Sequence, residues 1–358
     1  MKCRVLGQMV GWGACRTGVL GGVPVPACEA TVRHNPSTGY ERLVRSLYIA
    51  RPEDWLAVCE SGCNLNCLHC SNSSFIKTAR GGWVSAEVIG AFAKDYLSSV
   101  TVMEPRERAT SYHSEALCDH CGGCVTKDEP SEFCPSVLTP EQVVALPQGF
   151  GPLRNIIAFQ GGDLLGCCPE WYQEASGAVK QQTRRQVNVL VQTNGFAVTK
   201  EILNSLEGTV DAFQLEFKAF DPTTYKTLTG GSPKAPLTFL KIAKALDFTL
   251  EVVVPHIRQL VDYGQHQKIA RAIAKVDPAI PTTLQPVRPG EKLPGFASPT
   301  FDEVKRSYET MTSEGLTHLR VQGQVRGDPK ITKLTLGLWN QSPTSPTNQV
   351  QQGIKVSS

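Results

Sequence analysis

From residue 54 onward, short apolar runs alternate with amphipathic stretches, one pair about every 25 to 35 residues. The apolar runs predict strands at 54–58, 153–159, 187–191, 212–217, 249–254, 281–285 and 316–321. Between them, helical periodicity predicts helices at 85–97, 169–182, 200–206, 236–246, 264–275 and 301–314, with Ser85 as an N-cap. Such alternation implies right-handed βαβ units and a parallel sheet. Six units curl readily into a complete or partial barrel. The expected fold class is therefore α/β, a partial (βα)6 TIM-type barrel, whose chemistry sits at the carboxyl ends of the strands.

The rhythm is interrupted in three places. Residues 1–50 are rich in Gly, Pro and Thr and read as an N-terminal extension of short strands or irregular structure. The expected barrel domain is 51–325. Within it, 98–138 carries four cysteines and few apolar residues, and reads as an insertion between the first and second βα units. The tail at 340–358 is polar, low in complexity and expected to be disordered.

Composition narrows the functional classes. The chain has 358 residues, 41% apolar and 19% charged, ordinary for a soluble globular protein. The net charge is +3, and no basic tract with interleaved aromatics supports nucleic-acid binding. No apolar run approaches the roughly 18 residues of a membrane helix. Glycines at 11, 13 and 18 interrupt the N-terminal run that a signal peptide would need. The 13 cysteines cluster instead of spreading, which reads as metal binding in a reducing cytoplasm.

Residues 61–72 read SGCNLNCLHCSN, placing Cys63, Cys67 and Cys70 at C-x3-C-x2-C spacing. A short loop of this kind can wrap a cubane so that three thiolates reach three irons. The fourth iron keeps an open position, as a catalytic metal requires. The competing reading is a structural zinc site with His69 as fourth ligand.

Gly62 before the triple and Ser71-Asn72 after it complete a segment that resembles the signature of radical S-adenosylmethionine enzymes. Gly161-Gly162-Asp163 is similar to that family's Gly-Gly-Glu turn, and Val189–Gly195 to its strand ending in Thr-Asn-Gly. Gln214–Asp221, with Leu228-Thr229-Gly230 behind it, resembles a run found in glycyl-radical-enzyme activases, and Glu251–Pro255 the strand that follows. Together these motifs span roughly residues 55–320. The resemblance implies a [4Fe–4S] cluster on Cys63, Cys67 and Cys70. It implies reductive cleavage of S-adenosylmethionine to a 5′-deoxyadenosyl radical, and hydrogen abstraction from a protein or small-molecule substrate. It also implies a reductant such as flavodoxin or ferredoxin.

Roles carried over by the resemblance are these. Gly161 and Gly162 let the backbone approach the methionine end. Asp163 accepts from its amino group, Thr193 and Asn194 contact the methionine or ribose, and Lys218 pairs with the carboxylate. His69 covers the adenine side, where the family often has an aromatic residue. Gln192 and Glu216 stand where activases often have Asp, and Asp163 is one methylene shorter than the usual Glu.

A second group reads C-x2-C-x2-C-x9-C-P, from Cys118, Cys121, Cys124 and Cys134. It resembles the ferredoxin pattern with a longer last gap. Four thiolates permit full ligation, so an auxiliary [4Fe–4S] cluster or a single iron or zinc is expected, for electron transfer or structure. His113 and His120 flank it and are read as exposed. Cys59 reads as core, and Cys167-Cys168-Pro169 as a helix start with two packed thiols. Cys3, Cys15 and Cys28 lack ligand spacing. Two other functions compete: an electron-transfer or cluster-carrier protein that never cleaves S-adenosylmethionine, and a zinc-stapled binding module.

Overall fold

The computed structural model describes residues 15–17, 25–73, 78–288, 293 and 295–322. Cys3 and the 340–358 tail lie outside the described residues. The main sheet comprises β1 (Val32–Asn35), β2 (Gly39–Ala50), β3 (Trp55–Glu60), β4 (Gly82–Ser85) and β5 (Ile156–Gly161). It continues with β6 (Asn188–Thr193), β7 (Ala212–Glu216), β8 (Thr249–His256), β9 (Thr282–Pro286) and β10 (Leu319–Val321). Its order is β10-β9-β8-β7-β6-β5-β3-β2-β1, with β4 beside β2. From β3 through β5 to β10 every neighbour is parallel.

The helices are α1 (Ala27–Thr31), α2 (Ala86–Leu97), α3 (Pro169–Gln182), α4 (Lys200–Asn204), α5 (Pro222–Thr229), α6 (Lys234–Ala245), α7 (Tyr263–Ala274) and α8 (Phe301–Ser313). Six βα steps and a seventh parallel strand make the partial barrel that the alternation predicts. Ser85 caps α2, accepting from Val88 N, and Pro169 stands in the first turn of α3.

The strands' period of two sorts their side chains. Phe213 and Leu215, Val252 and Val254, and Leu284 join the apolar layer under the helices. Gln214, Glu216, Val253, Pro255 and Gln285 alternate with them and line the barrel cavity. At the amino ends of the strands, Trp55, Ala57, Ile156, Ala158, Leu190 and Ala212 fill the interior with a tight apolar layer.

The inserted segment closes that end. Its turn Ser111–Ala116 enters the barrel. There Ser111 N and Oγ donate to the Glu251 carboxylate at 2.8 and 2.7 Å, joined by Gln214 Nε2 and Thr283 Oγ1, each at 3.0 Å. Arg320 balances the charge by pairing with Glu115 at 3.2 Å and Glu251 at 3.5 Å.

Two of the elements absent from the pattern reading position the site. β2 is a 12-residue strand inside the expected extension, and it pairs antiparallel with β3, setting Tyr48 opposite Ala57 and Ile49 opposite Leu56. The Gly- and Pro-rich composition before it masks a run that buries Leu43 and Val44. α5 is the second. Asp221 caps it, its carboxylate accepting from Thr223 N (3.0 Å) and Thr224 N (2.9 Å), and Gly230 at φ +78° ends it. A polar eight-residue helix carries too little periodicity to be seen in advance.

Candidate active site

The Cys63–Cys70 loop leaves the carboxyl end of β3 and is held by backbone bonds at three points. Asn64 N donates to Asp163 O (2.9 Å), Asn66 N to Thr229 O (3.0 Å) and Leu68 N to Leu228 O (2.8 Å). The first comes from the turn after β5 and the other two from the end of α5. Strand β3 ends on Glu60, which is wholly buried. Its carboxylate accepts from Trp171 Nε1 (2.5 Å) and Tyr172 OH (2.8 Å) and faces Arg42 at 3.5 Å. Arg42 also donates to the carbonyls of Gly62 and Gly162, both at 3.2 Å. One buried guanidinium thus ties the cysteine loop to the glycine turn.

That turn requires glycine. Gly162 N donates to Glu60 O at 2.9 Å, and a Cβ on Gly162 would lie 2.0 Å from Gly62 O. Gly161 takes φ +97°, a left-handed conformation that other residues resist. Asp163 is buried, and both its oxygens already accept. Oδ1 takes Leu165 N (2.9 Å); Oδ2 takes Thr193 Oγ1 (2.9 Å) and Asn194 N (2.7 Å). Asn194 Nδ2 in turn donates to Asn64 Oδ1 at 2.7 Å. Asp163, Thr193 and Asn194 therefore lock three strand-end loops to one another, a network that motif spacing alone does not disclose.

Cys63, Cys67 and Cys70 pack together with Leu65 and Phe196. All three line a cavity of about 840 Å³ at the carboxyl end of the strands, and no other described cysteine lines it. His69, Gly161, Asp163, Thr193, Asn194, Glu216 and Lys218 share this lining, so the structure brings together the predicted residues, Gly162 standing just behind. Deeper in lie Glu53, Ser111, Gln192, Gln214, Gln285 and Gln322. Motif reading marks Gln192 and the run that opens on Gln214, whereas Glu53, Ser111, Gln285 and Gln322 lie outside every motif and are disclosed only by the fold.

Charge is arranged around the loop. Burial pushes the Cys63 thiol up, and Asp163 and Cys67 add to the rise. Lys218 is buried and pairs with Glu216. Burial alone would lower Lys218, but Cys67 and Glu216 hold it well above the ordinary ammonium range. Glu216, whose side chain is 44% open toward the cavity, is lowered because Lys218 outweighs its burial. Burial pushes Asp163 up against the pull of its hydrogen bonds.

The donor set fits an iron–sulfur cluster. Among the described residues, no three His, Cys, Asp or Glu side chains converge closely enough to hold one metal ion. Three thiols that share one cavity lining with no fourth described cysteine suit a cubane with one open iron better than structural zinc, which takes four ligands. Asn64 Nδ2 in the loop and the Tyr225 hydroxyl on α5 are buried without a hydrogen-bond partner, as groups awaiting an acceptor are.

The second cysteine group lies at the opposite, amino end of β3. His120 Nε2 sits 2.9 Å from Asp54 Oδ2, immediately before that strand. The reading of His120 as exposed is corrected: its side chain is 6% exposed, because Asp54 draws it inward. His113 is half-buried, its Nδ1 2.8 Å from Thr110 Oγ1. Cys118 is buried and its thiol pushed up to about 12, by burial first. Cys121 is exposed, and Cys124 and Cys134 are half-buried. The amides of His120 and Gly123 donate to the sulfurs of Cys118 (3.2 Å) and Cys121 (3.4 Å). Cys28, Cys167 and Cys168 pack in a separate small cluster with Leu164.

No protein-family model matches the chain, and no curated protein matches it. Solved structures do. A domain of pyruvate-formate lyase-activating enzyme from Bacteroides vulgatus is 18% identical, with TM-score 0.39, over 46% of this chain and 98% of that one. Streptococcus suis SuiB bound to S-adenosylmethionine is 12% identical, with TM-score 0.44, over 73% of this chain and 48% of that one. The anSMEcpe structure with bound AdoMet and a Cp18Cys peptide is 12% identical, with TM-score 0.43, over 74% and 62%. This chain thus spans about half the length of the SuiB chain. At such scores the fold rests on the strand order, and the site on its own geometry.

Proposed function

We propose that this chain is a radical S-adenosylmethionine enzyme, with a [4Fe–4S] cluster on Cys63, Cys67 and Cys70. One observation carries the reading: three thiols from one pinned loop share the mouth of a parallel-barrel cavity that no fourth described cysteine lines. That donor set leaves an open corner for S-adenosylmethionine. When bound, such a cluster supplies the electron that cleaves S-adenosylmethionine to methionine and a 5′-deoxyadenosyl radical.

The chain's own residues position and enclose. Gly161 and Gly162 keep side chains away from the loop's inner edge. Lys218 and Glu216 offer opposite charges to a zwitterionic methionine group. Asp163 works through Thr193 and Asn194, holding both at the rim. His69 lines the same cavity and presents a planar ring there. The apolar layer and the Ser111 plug shut the amino end, so that water enters from one side only.

The activase-like branch is the closest reading of the motifs, with a protein or small-molecule substrate and a flavodoxin- or ferredoxin-type reductant in the cytoplasm. The domain limits follow: a barrel over 51–325 with a 98–138 insertion. Cys118, Cys121, Cys124 and Cys134 hold a second [4Fe–4S] cluster; a single iron or zinc there is the alternative that inorganic sulfide counts would expose. Anaerobic purification with iron and sulfide analysis, followed by incubation with dithionite and S-adenosylmethionine, tests the whole. Formation of 5′-deoxyadenosine supports the reading. Clusters without the nucleoside would overturn it in favour of an electron carrier.

A further inference from the structure

Tyr225 lies under the cysteine loop, and its hydroxyl is the clearest unexplained group near the candidate site. Positions 225, 228 and 229 share one face of α5. At that end of the helix the carbonyls of Leu228 and Thr229 accept Leu68 N and Asn66 N, the amides on either side of Cys67. Tyr225 sits one turn earlier on the same face, in an apolar cluster against which Leu68 packs. A Cβ on Gly231 would lie 3.3 Å from Tyr225 Cε1 and 2.9 Å from Leu65 Cδ2, so the ring stands close to the loop.

The side chain is 1% exposed, and its hydroxyl has no hydrogen-bond partner. A buried donor left unmet is costly, so a partner is expected for it. Cys67, Asp163, Glu216 and Lys218 stand together in the cavity lining about the loop. Lys218 is a donor only. Asp163 already accepts three hydrogen bonds. Glu216 is engaged by Lys218 and opens to the cavity. Cys67, whose flanking amides at Asn66 and Leu68 bond to the same face of α5, would offer a metal-bound thiolate as the acceptor.

We propose that Tyr225 donates a hydrogen bond to the Cys67 sulfur when that sulfur ligates the cluster, and so raises the cluster's reduction potential. The inference rests on the cluster assignment above. It makes Tyr225 a positioning and tuning residue, not a catalytic one. A hydrogen bond to a ligand sulfur stabilises the more negative, reduced state, one of the protein's main levers on such potentials.

The test uses the full chain, purified anaerobically, with and without Tyr225→Phe. The signal followed by electron paramagnetic resonance is the one S-adenosylmethionine perturbs, which separates it from any cluster on the second cysteine group. The variant is expected to bind the same iron and sulfide but to be about tenfold harder to reduce, about 59 mV more negative for one electron. In deuterated buffer, the wild-type reduced cluster should show an exchangeable deuteron coupling that the variant lacks. Equal potentials at equal cluster content overturn the proposal, as does absence of that coupling in the wild type; a phenol bonded to Glu216 instead predicts both. If the wild-type chain takes up no cluster on Cys63, Cys67 and Cys70, the functional reading itself fails, and this inference with it.

Discussion

The two cysteine groups sit at opposite ends of one strand. Asp54, which anchors the second group through His120, immediately precedes β3, and Cys63 follows it by three residues. Six strand residues at about 3.3 Å each separate the ends by about 20 Å. The first group has Cys63 and Cys67 buried and Cys70 half-buried, is pinned from two other loops, and offers three thiols to a cavity. The second lies on an insertion, with Cys121 exposed, and offers four thiols with amide–sulfur bonds of its own. An incomplete thiol set facing a closed well suits chemistry; a complete set on the outside suits electron entry or bracing. On the proposed reading, the same amino acid serves two uses, set apart by ligand number and by position in the barrel.

The sharpest way to break this contrast is to remove one thiol from each group. Cys63→Ser should abolish 5′-deoxyadenosine formation, whereas Cys118→Ser should lose metal yet retain measurable product. Equal total loss would remove the division of roles. Next in size is Arg42→Met, which leaves the buried Glu60 carboxylate without its ion-pair partner and removes the side-chain tie between the cysteine loop and the glycine turn. Thermal or denaturant unfolding should show a loss of about 3–5 kcal/mol. The half-exposed pair Arg258–Glu303 provides the control, since Arg258→Met should cost under about 1 kcal/mol. Gly162→Ala drives a Cβ against a backbone oxygen at 2.0 Å, and should cost about 1–3 kcal/mol while leaving the metal content of the second group intact.

Acid offers a finer comparison of the two ends. Burial lowers His256 from 6.5 to about 4 and His266 to about 3, at the carboxyl end of β8 and on α7 beside it. Above pH 6.5 neither folded nor unfolded chain binds these protons, and stability is flat. Below 6.5 the unfolded chain takes them up and the folded chain does not, so stability falls as pH drops toward 4. Each group contributes a slope of about 1.4 kcal/mol per pH unit. His266→Gln should flatten a plot of unfolding free energy against pH by about that amount. His113 on the amino-end plug is also held neutral, first by burial, so some slope should survive removal of both His256 and His266. The smallest effect belongs to Cys121→Ser. With no metal bound, its unfolding free energy should lie within about 0.5 kcal/mol of wild type, because the side chain is exposed.

What the chain's order of residues determined by itself is whatever local spacing can encode. The alternation of strand and helix, the Ser85 cap of α2, the proline in the first turn of α3, the C-x3-C-x2-C loop and the glycine turn all follow from neighbours within a few positions. Each depends on backbone geometry or ligand reach over a short stretch. Tertiary structure alone decided that Asp163 holds Thr193 and Asn194, that Arg42 ties two loops 100 residues apart in the chain, and that His120 turns inward to Asp54. It also decided that α5 supports the cysteine loop and buries the Tyr225 hydroxyl without a partner, and that the second cysteine group occupies the far end of the barrel. Such contacts join residues that only the curling of the sheet brings together. No local period records which distant side chains will meet once the strands are in register.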